Sequence, residues 1–448
     1  FNTVQLDGHK IDILYTYEFE NKNGELIRNT ATRCWLIAVV DVATRVILGY
    51  SLTPHENYNQ TDVLAAIQDS IVPRVKRIFA IPGFEYPENG GYFSLALPHI
   101  SWALFDNIML DNAKAHLAKD VVNKLTEKLK CSVNFGSVAT PETRGIIERM
   151  FRTLEENGFH RIVSTTGSNI LDNKRKNAEQ DALRYNVKLE DIEEMTEYFI
   201  ALYNNSPHKA LDNETPLQCM QRRVDEAGMF PFIAERGVKI IIENLTNIII
   251  TRVIRGSYKG GKRPYIHYLG VEYRSDIISY SMDMIGEKIQ IEINPKDISF
   301  VRAYLMDGSE LGILNASGEW GLKPHSIKTR KEVMKYAREN NDKNTPFIAH
   351  ISDYEEDLRT RAKLSRRAGT KAAIIKKEQK NTSNPNKSIS HETSLILSNN
   401  KVTDTNTSFD NRLKANNKHS NNHESYSPDI EELLLSMSIE EAYEKGLL

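Results

Sequence analysis

The alternation of apolar and polar residues over 1–157 predicts a mixed α/β unit. Its apolar runs have strand length, and RCWLIAVVD is nearly continuous, as is typical of a buried strand. The predicted strands occupy, in chain order, 3–19 (two short strands), 33–41, 45–52, 107–112 and 132–136. Apolar residues at helical spacing predict three helices, on Val63, Leu64, Ile67 and Ile71, on Ala118, Val121, Val122, Leu125 and Leu129, and on Ile147, Met150, Phe151 and Leu154.

The pattern changes after residue 165. Residues 166–235 are polar with one amphipathic face, which predicts a helical connector. Four strand-like runs between turn residues (VKIII, NIIITRVI, YIHYLGVEY and IQIEI) predict a small antiparallel β-barrel at 236–322. Basic helical sequence follows at 323–378.

The end of the chain divides into two further segments. Residues 379–428 form a predicted disordered linker, because Asn and Ser fill 20 of the 48 positions from 381 to 428 and little apolar area is left to offset chain entropy. Residues 429–448 combine acids with apolar side chains, which predicts a short motif that folds on a partner. A helix that packs back onto the core is the alternative. The predicted partner contacts are Leu433, Leu434, Met437, Ile439 and Tyr443.

Charge is distributed unevenly along the chain. The 448 residues are 40% hydrophobic and 26% charged, which is ordinary for a soluble protein, and they lack the run of about 20 apolar residues that a membrane helix needs. The net charge of −2 conceals a basic stretch at 359–380, with nine bases and one acid, and an acidic stretch at 424–448, with seven acids and one base. A basic stretch of this density predicts contacts with nucleic-acid phosphates.

Cysteine usage and the first residues indicate where the protein works. Cys34, Cys131 and Cys219 lie far apart and form neither a disulfide framework nor a zinc pattern, which indicates a reducing cytoplasm. Residues 1–20 lack the features of a signal peptide. Because the chain begins at Phe1 rather than Met, we expect that an amino-terminal piece precedes it.

Three acids stand out because of the elements that carry them. Asp7 lies at the end of a predicted strand, Asp111 ends another, and Glu148 lies on a predicted helix. The 36 residues between Asp111 and Glu148 hold a helix and a strand, so the later helix can reach both Asp residues if their strands are neighbours. Three carboxylates at one sheet edge repel unless cations neutralise them, and Mg²⁺ favours carboxylate oxygens. Two such ions catalyse phosphoryl transfer.

Other residues compete for these roles. Asp12 follows Asp7 by five residues and is an alternative catalytic acid. Asp41 opens a predicted hairpin and is better interpreted as a turn former, and Glu142 as an acid that stabilises a helix start. His9 is either a supporting group for Asp7 or a structural histidine.

The motifs around the three acids resemble those of the DDE transposases, which have an RNase H-like catalytic core and belong to the retroviral-integrase superfamily. Within that superfamily the chain resembles the phage Mu transposase and TnsB, the DDE subunit of heteromeric bacterial transposons. The resemblance spans residues 1–375 and rests on QLDGH, VVDVATRVILGY, LDNAKAH, PETRGIIERMFRTL, YNNSPHKALDNETPL, GVEYRS and NPKDIS.

The resemblance implies that Asp7, Asp111 and Glu148 are the catalytic acids and the ligands of two Mg²⁺ ions, for which Mn²⁺ substitutes. It implies a subunit that binds transposon ends, nicks at the 3′ end and joins the 3′-hydroxyl to target DNA. The implied fold is an RNase H-like α/β core at 1–165, the barrel, basic helices and the tail. The implied partners are double-stranded DNA, further copies of the chain in a tetramer, and an AAA+ ATPase bound by the tail, in a bacterial cytoplasm at the nucleoid.

Basic side chains are the predicted DNA contacts. Those near the acids are Arg144, Arg149 and Arg152, for which a solvated helix face is the alternative, and Lys114, which follows Asp111 at a predicted helix start where backbone N–H groups favour phosphate. Those farther along the chain are Lys262 and Arg263 at a barrel turn and Arg366, Arg367 and Lys371 in the basic helices.

Two other functions stay open on sequence grounds. One is another RNase H-like nuclease, such as a junction resolvase, against which the barrel and the basic helices argue. The other is an architectural DNA-binding protein whose core has lost its activity, against which the intact set of three acids argues.

Overall fold

A computed structural model describes residues 1–20, 26–111, 119–135, 144–162, 164–166, 173–340, 349–363 and 365–380. Within these residues the chain divides into two compact units, one of 1–247 with 352–380 (unit 1) and one of Ile248–Ile351 (unit 2). Lys114, Glu142, nearly all of the predicted linker and the motif at 429–448 lie outside the described residues. None of the described helices is long and apolar enough to cross a membrane.

The described strands of unit 1 are β1 Thr3–Lys10, β2 Thr16–Glu20, β3 Leu26–Thr30, β4 Trp35–Asp41, β5 Ile47–Thr53, β6 Asn107–Met109 and β7 Ser132–Asn134. Among them, five form one sheet in the order β5-β4-β1-β6-β7, and β2 pairs with β3 in a separate hairpin. Strand β1 pairs antiparallel with β4 and parallel with β6, and β6 pairs parallel with β7. The sheet is therefore mixed, with β1 at its centre.

The described α-helices are α1 Gln60–Asp69, α2 Phe93–Ala96, α3 Lys119–Asn123, α4 Gly145–Asn157, α5 Asn173–Tyr185, α6 Leu189–Asn204, α7 Pro216–Gln221, α8 Arg236–Glu243, α9 Asp276–Tyr280, α10 Glu319–Leu322, α11 Ile327–Asn340, α12 Ile351–Ala362 and α13 Arg366–Lys380. Helix α3 continues into a π-helical turn at Lys124–Lys128. The predicted helices on Val63 and on Ile147 are confirmed as α1 and α4.

Apolar cores lie on both faces of the central sheet because side chains alternate along its strands. In β4, Ile37 and Val39 join the core that contains α1 and α3 (core A). Leu36, Ala38 and Val40 join the core that contains α4 and α6 (core B). This double burial explains why β4 is nearly continuous in apolar residues.

The strand predicted for VKIII at 238–242 is wrong, because these residues form most of helix α8. Ile242 is fully buried and packs with Leu245 in core A. A short apolar run has no period that separates helix from strand, so burial of one face against the core decided the outcome.

Unit 2 contains one antiparallel sheet of β8 Ile248–Val253, β9 Arg255–Ser257, β10 Lys262–Tyr268, β11 Val271–Arg274, β12 Lys288–Asn294, β13 Asp297–Leu305 and β14 Glu310–Ala316. The strand order is β8-β12-β13-β14-β11-β10-β9. Ile289, Ile291 and Ile293 of β12 are fully buried. The predicted antiparallel architecture is confirmed, but the sheet is a curled half-barrel rather than a closed barrel, since the outer strands β8 and β9 do not pair with each other in this described segment.

Candidate functional site

Asp7 lies on the face of the central sheet that α4 covers. Val4 and Leu6 of β1 are buried in core A, and successive side chains of a strand point to opposite faces. Gln5, Asp7 and His9 therefore share the other face. The His9 ring stacks on that of Phe151 in α4, with centroids 5.0 Å apart.

The parallel pairing of β1 with β6 brings Asp111 to the same place. The last paired residues are Gln5 and Met109, so Asp7 and Asp111 each follow the end of this pairing by two residues. The Gln5 Nε2 atom lies 3.9 Å from Met109 Sδ, which shows that these odd-numbered positions share one face. Strand β1, which carries Asp7, and strand β6, which ends two residues before Asp111, are therefore neighbours, as the sequence argument required.

The start of α4 is attached to both of these strands. The Ile147 N–H group donates to Gln5 Oε1 of β1 over 3.1 Å. Arg144 precedes the helix and donates from Nη2 to the Leu110 carbonyl over 3.3 Å, while its Nη1 lies 3.8 Å from Asp111 Oδ2. The first turn of α4 is thereby fixed beside Gln5 of β1, a strand in which Asp7 lies inside rather than at the predicted end, and beside Leu110, the residue before Asp111.

Glu148 lies in this first turn and is exposed. It follows Arg144 by four residues, so the two positions are neighbours on the helix surface. An acid in the first turn also interacts favourably with the helix dipole. The described contacts thus hold the helix turn that carries Glu148 against β1 through Gln5 and place Arg144, just before that turn, beside Asp111.

Tyr58, which the sequence did not identify, packs on β1 next to Asp7 from the core A face of the sheet. A Cβ atom at Gly8 would meet Tyr58 Cε1 at 2.7 Å, so the ring packs directly on the glycine beside Asp7. Burial raises the pKa of the Tyr58 phenol, and the negative charges of Asp111 and Asp7 act in the same direction. The phenol therefore stays neutral and keeps its hydroxyl proton. A glycine within a strand was the available signal, since it often marks a close approach.

The competing acids have other surroundings. The Asp41 carboxylate accepts hydrogen bonds from the Thr44 N–H and hydroxyl groups over 2.8 and 2.6 Å, so it forms the turn between β4 and β5 as predicted. Asp12 lies beyond the end of β1 and pairs with Arg33 and His160 rather than with Asp111.

The predicted DNA contacts of unit 1 have different environments. Arg149 and Arg152 are exposed on α4. In α13, Arg366 pairs with Glu179, and Arg367 pairs with Glu56. The Arg367 hydrogen bond lowers the pKa of the Glu56 carboxyl group, and Lys371 contributes in the same direction. Part of the positive charge of α13 is therefore balanced within unit 1.

The predicted contacts of unit 2 lie at the start of β10. Lys262 Nζ donates to Glu272 Oε1 over 2.7 Å and lies 4.2 Å from the centre of the Tyr265 ring. The Arg263 guanidinium lies 5.2 Å from the centre of the Tyr280 ring. Both bases remain on the surface of the unit.

Comparisons with known proteins bear on the segment that holds the three acids. A search of curated proteins found no match. Among solved structures, a cryo-EM structure of the simian T-cell lymphotropic virus intasome in complex with PP2A regulatory subunit B56 gamma is similar at 12% identity and a TM-score of 0.27, over 61% of this chain and 73% of that chain. Residues 5–163, which include Asp7, Asp111 and Glu148, match the family model described as the TnsB C-terminal domain, and this match supports a transposase-like protein.

Proposed function

We propose that this chain is the DDE subunit of a DNA transposase, with residues 1–165 as an RNase H-like core. The observation that carries the proposal is the parallel pairing of β1 with β6, which ends two residues before Asp7 and Asp111, together with the hydrogen bond that holds the first turn of α4, which contains Glu148, against β1. The match of residues 5–163 to the TnsB C-terminal domain supports the same class of protein. The reaction would nick the transposon 3′ end and join the 3′-hydroxyl to target DNA.

The donor set fits hard divalent cations. It consists of carboxylate oxygens alone, which Mg²⁺ prefers, and the Asp111 side chain is 21% exposed and so open to solvent and phosphate. Asp111 already lies beside one positive charge, that of Arg144. When bound by Asp7, Asp111 and Glu148, two Mg²⁺ or Mn²⁺ ions supply activation of the attacking oxygen and stabilisation of the leaving oxygen.

Residues of the chain orient the proposed metal ligands and place a positive charge beside them. The Gly8 N–H group donates to Asp7 Oδ1 over 2.7 Å and fixes the direction of that carboxylate. Gln5 holds the first turn of α4, and with it Glu148, against β1. Arg144 brings a cation to the face where DNA phosphates would approach, and phosphate contacts of this kind position the substrate.

The proposal includes double-stranded DNA and further copies of the chain as partners. Transposon ends and target DNA would both contact basic side chains, and a tetramer on paired ends would be the active form. Arg149 and Arg152 are exposed on the helix that carries Glu148 and are the best placed of the predicted contacts.

The terminal motif at 429–448 is proposed to bind an AAA+ ATPase that marks the target. A tether between motif and core raises the local concentration of transposase without fixing its orientation. Deletion of 429–448 should leave transfer into naked DNA unchanged and abolish binding of the ATPase. A truncated chain that binds the ATPase with unchanged affinity would assign the contact elsewhere.

The test of the proposed chemistry is strand transfer of a pre-cleaved transposon end into plasmid DNA, in Mg²⁺ and in Ca²⁺. The wild-type protein should join the DNA in Mg²⁺ only, because Ca²⁺ coordinates at longer distances and in looser geometry. Asp7→Asn, Asp111→Asn and Glu148→Gln should bind DNA without joining it. The controls are Asp106→Asn, on the exposed side chain just before β6, and Glu156→Gln, on an exposed position of α4.

The same assay distinguishes the two alternatives. Cleavage of branched DNA without joining would indicate a structure-specific nuclease. DNA binding with neither cleavage nor joining in the wild-type protein would indicate an architectural protein.

A further inference from the structure

A second cluster of metal-ligating side chains lies at the other end of α4. Asp12 follows β1, Glu155 lies in the last turn of α4, and His160 lies in the 3₁₀ turn Phe159–Arg161. One potential ligand atom from each of these side chains lies within 4.8 Å of the others. The His160 Nε2 atom is 3.6 Å from Asp12 Oδ2 and 3.3 Å from Glu155 Oε2.

The two oxygens of Glu155 have different surroundings. Its side chain is only 6% exposed. Oε1 accepts from the Asp12 N–H group over 3.1 Å and lies 2.9 Å from His9 Nε2. Oε2 is buried and has no hydrogen-bond partner among the described residues. A buried carboxylate oxygen without a hydrogen bond is costly, and it faces the two other ligand groups.

The surrounding contacts have the pattern that metal ligands show. Ligating carboxylates are themselves hydrogen-bonded, as Oε1 of Glu155 is by His9 and Asp12. Asp12 is held in the same way, since its Oδ1 pairs with Arg33 and accepts from the Thr166 hydroxyl group over 3.3 Å. One oxygen of each carboxylate is thereby oriented by the protein, while the other lies near His160.

We infer that Asp12, Glu155 and His160 bind a divalent transition-metal ion such as Zn²⁺. One imidazole nitrogen and two carboxylate oxygens form a ligand set that Zn²⁺ accepts, and water fills the fourth position. Asp12 and His160 are 22% and 16% exposed at their side chains, so the ion enters from solvent. The adjacent Arg33 balances part of the carboxylate charge and disfavours a second ion.

This site is distinct from the proposed Asp7–Asp111 site. Glu155 follows Glu148 by seven residues, which corresponds to about 10 Å along a helix at about 1.5 Å per residue. The ion would join the end of β1 to the last turn of α4 and to the turn that follows it. Its role is to fix α4, and the inference does not depend on the proposed transposase activity.

The test is titration of the chelator-treated full chain with Zn²⁺ by calorimetry and with Co²⁺ by visible absorption. The Asp7→Asn/Asp111→Asn double variant, which lacks two of the proposed catalytic ligands, should bind one equivalent, and the wild-type protein should bind the same equivalent in addition to any ion at the catalytic acids. Asp12→Asn and His160→Gln should bind the metal ion at least about 10- to 100-fold more weakly than the wild type. Removal of a group that only supports a metal ligand already lowers metal affinity by that factor. Glu156→Gln, exposed one residue from Glu155, should bind as the wild type does.

A gain-of-signal variant covers the case in which a substitution only unfolds the chain. His160→Cys places a thiolate at the site, so bound Co²⁺ should show a sulfur-to-metal charge-transfer band that the wild-type protein lacks. Absence of one-equivalent binding by the Asp7→Asn/Asp111→Asn double variant, wild-type affinity in Asp12→Asn and His160→Gln, or Co²⁺ binding by His160→Cys without that band would each overturn the inference.

Discussion

Helix α4 carries one glutamate in its first turn and another in its last turn, and their surroundings are opposite. Glu148 is exposed in the first turn, which a hydrogen bond to Gln5 holds against β1, the strand that bears Asp7. Glu155 is buried among His9, Asp12 and His160. A buried acid that the chain orients by hydrogen bonds suits a role in fixing the fold, whether directly or through the structural ion inferred above, whereas an exposed acid is accessible to catalytic cations and substrate.

Neutralising each glutamate separately gives the strongest test of whether the two differ in role. Glu148→Gln should reduce the rate of strand transfer by more than about 100-fold, because loss of a group that only supports a metal ligand already costs up to about 100-fold. Its thermal unfolding should be unchanged. Glu155→Gln should instead destabilise the fold by about 1–3 kcal/mol, the cost of disrupting a buried polar partner. Transfer rates and melting curves of both variants test this. Equal loss of stability in both variants would remove the contrast.

Gln5 connects β1 with the start of α4, and its loss should have an intermediate effect. Gln5→Leu leaves the Ile147 N–H group without its acceptor, at a cost of about 1–3 kcal/mol. Because Glu148 would then be less well positioned, transfer should fall, and Gln5→Glu, which retains an acceptor oxygen, should recover more activity than Gln5→Leu. Identical transfer rates in the two variants would show that this hydrogen bond does not position α4.

His325 in unit 2 is a buried histidine that lies beside a cation, Arg330, whereas His160 lies beside two carboxylates. Burial and the nearby Arg330 lower its pKa to about 3. The unfolded chain, with an ordinary histidine pKa of about 6.5, then binds more protons than the folded chain below that pH. Stability is therefore full above about pH 6.5 and falls with decreasing pH, by about 2 kcal/mol at pH 5.

Chemical denaturation at pH 7 and pH 5 measures this effect. Trp320, whose ring lies 5.0 Å from that of His325, reports on unit 2 in a background with Trp35→Phe and Trp102→Phe. His325→Gln keeps an acceptor for Arg330 and does not titrate, so it should lose less stability between the two pH values. An equal loss in both proteins would contradict the lowered pKa.

The smallest expected effect concerns the basic helix α13. Arg366 and Arg367 already pair with acids of unit 1, so each offers only part of its charge to DNA. Neutralising Arg366, Arg367 and Lys371 together should flatten the salt dependence of DNA binding, by roughly one unit of slope for each phosphate that the variant no longer binds. An unchanged slope would mean that these bases contact only protein and solvent.

The pattern of apolar residues predicted the elements that bury a continuous face. Strand β4 and helices α1 and α4 follow directly from it, because each packs a regular set of side chains into a core. Hairpin strand β3 was not predicted, since LIRNT lacks an apolar alternation. Helix α8 was misassigned because its run of isoleucines fits either period.

Local sequence pattern predicted the candidate acids, but not the residues that contact them from distant parts of the chain. Asp7, Asp111 and Glu148 were selected by their predicted elements, and β1, which carries Asp7, pairs with β6, which ends two residues before Asp111. The roles of Gln5 and Tyr58 were not predicted, because they depend on interactions between segments far apart in the chain.

The central claim is that Asp7 and Asp111 act together as metal ligands in DNA joining. Its most direct test is strand transfer by Asp111→Cys in Mg²⁺ and in Mn²⁺, because a thiolate binds the softer ion better than Mg²⁺. The account predicts that Asp111→Cys is inactive in Mg²⁺ and recovers activity in Mn²⁺, while Asp106→Cys behaves as the wild type in both. Full activity of Asp111→Cys in Mg²⁺, or no recovery in Mn²⁺ by a folded variant that binds DNA, would contradict it.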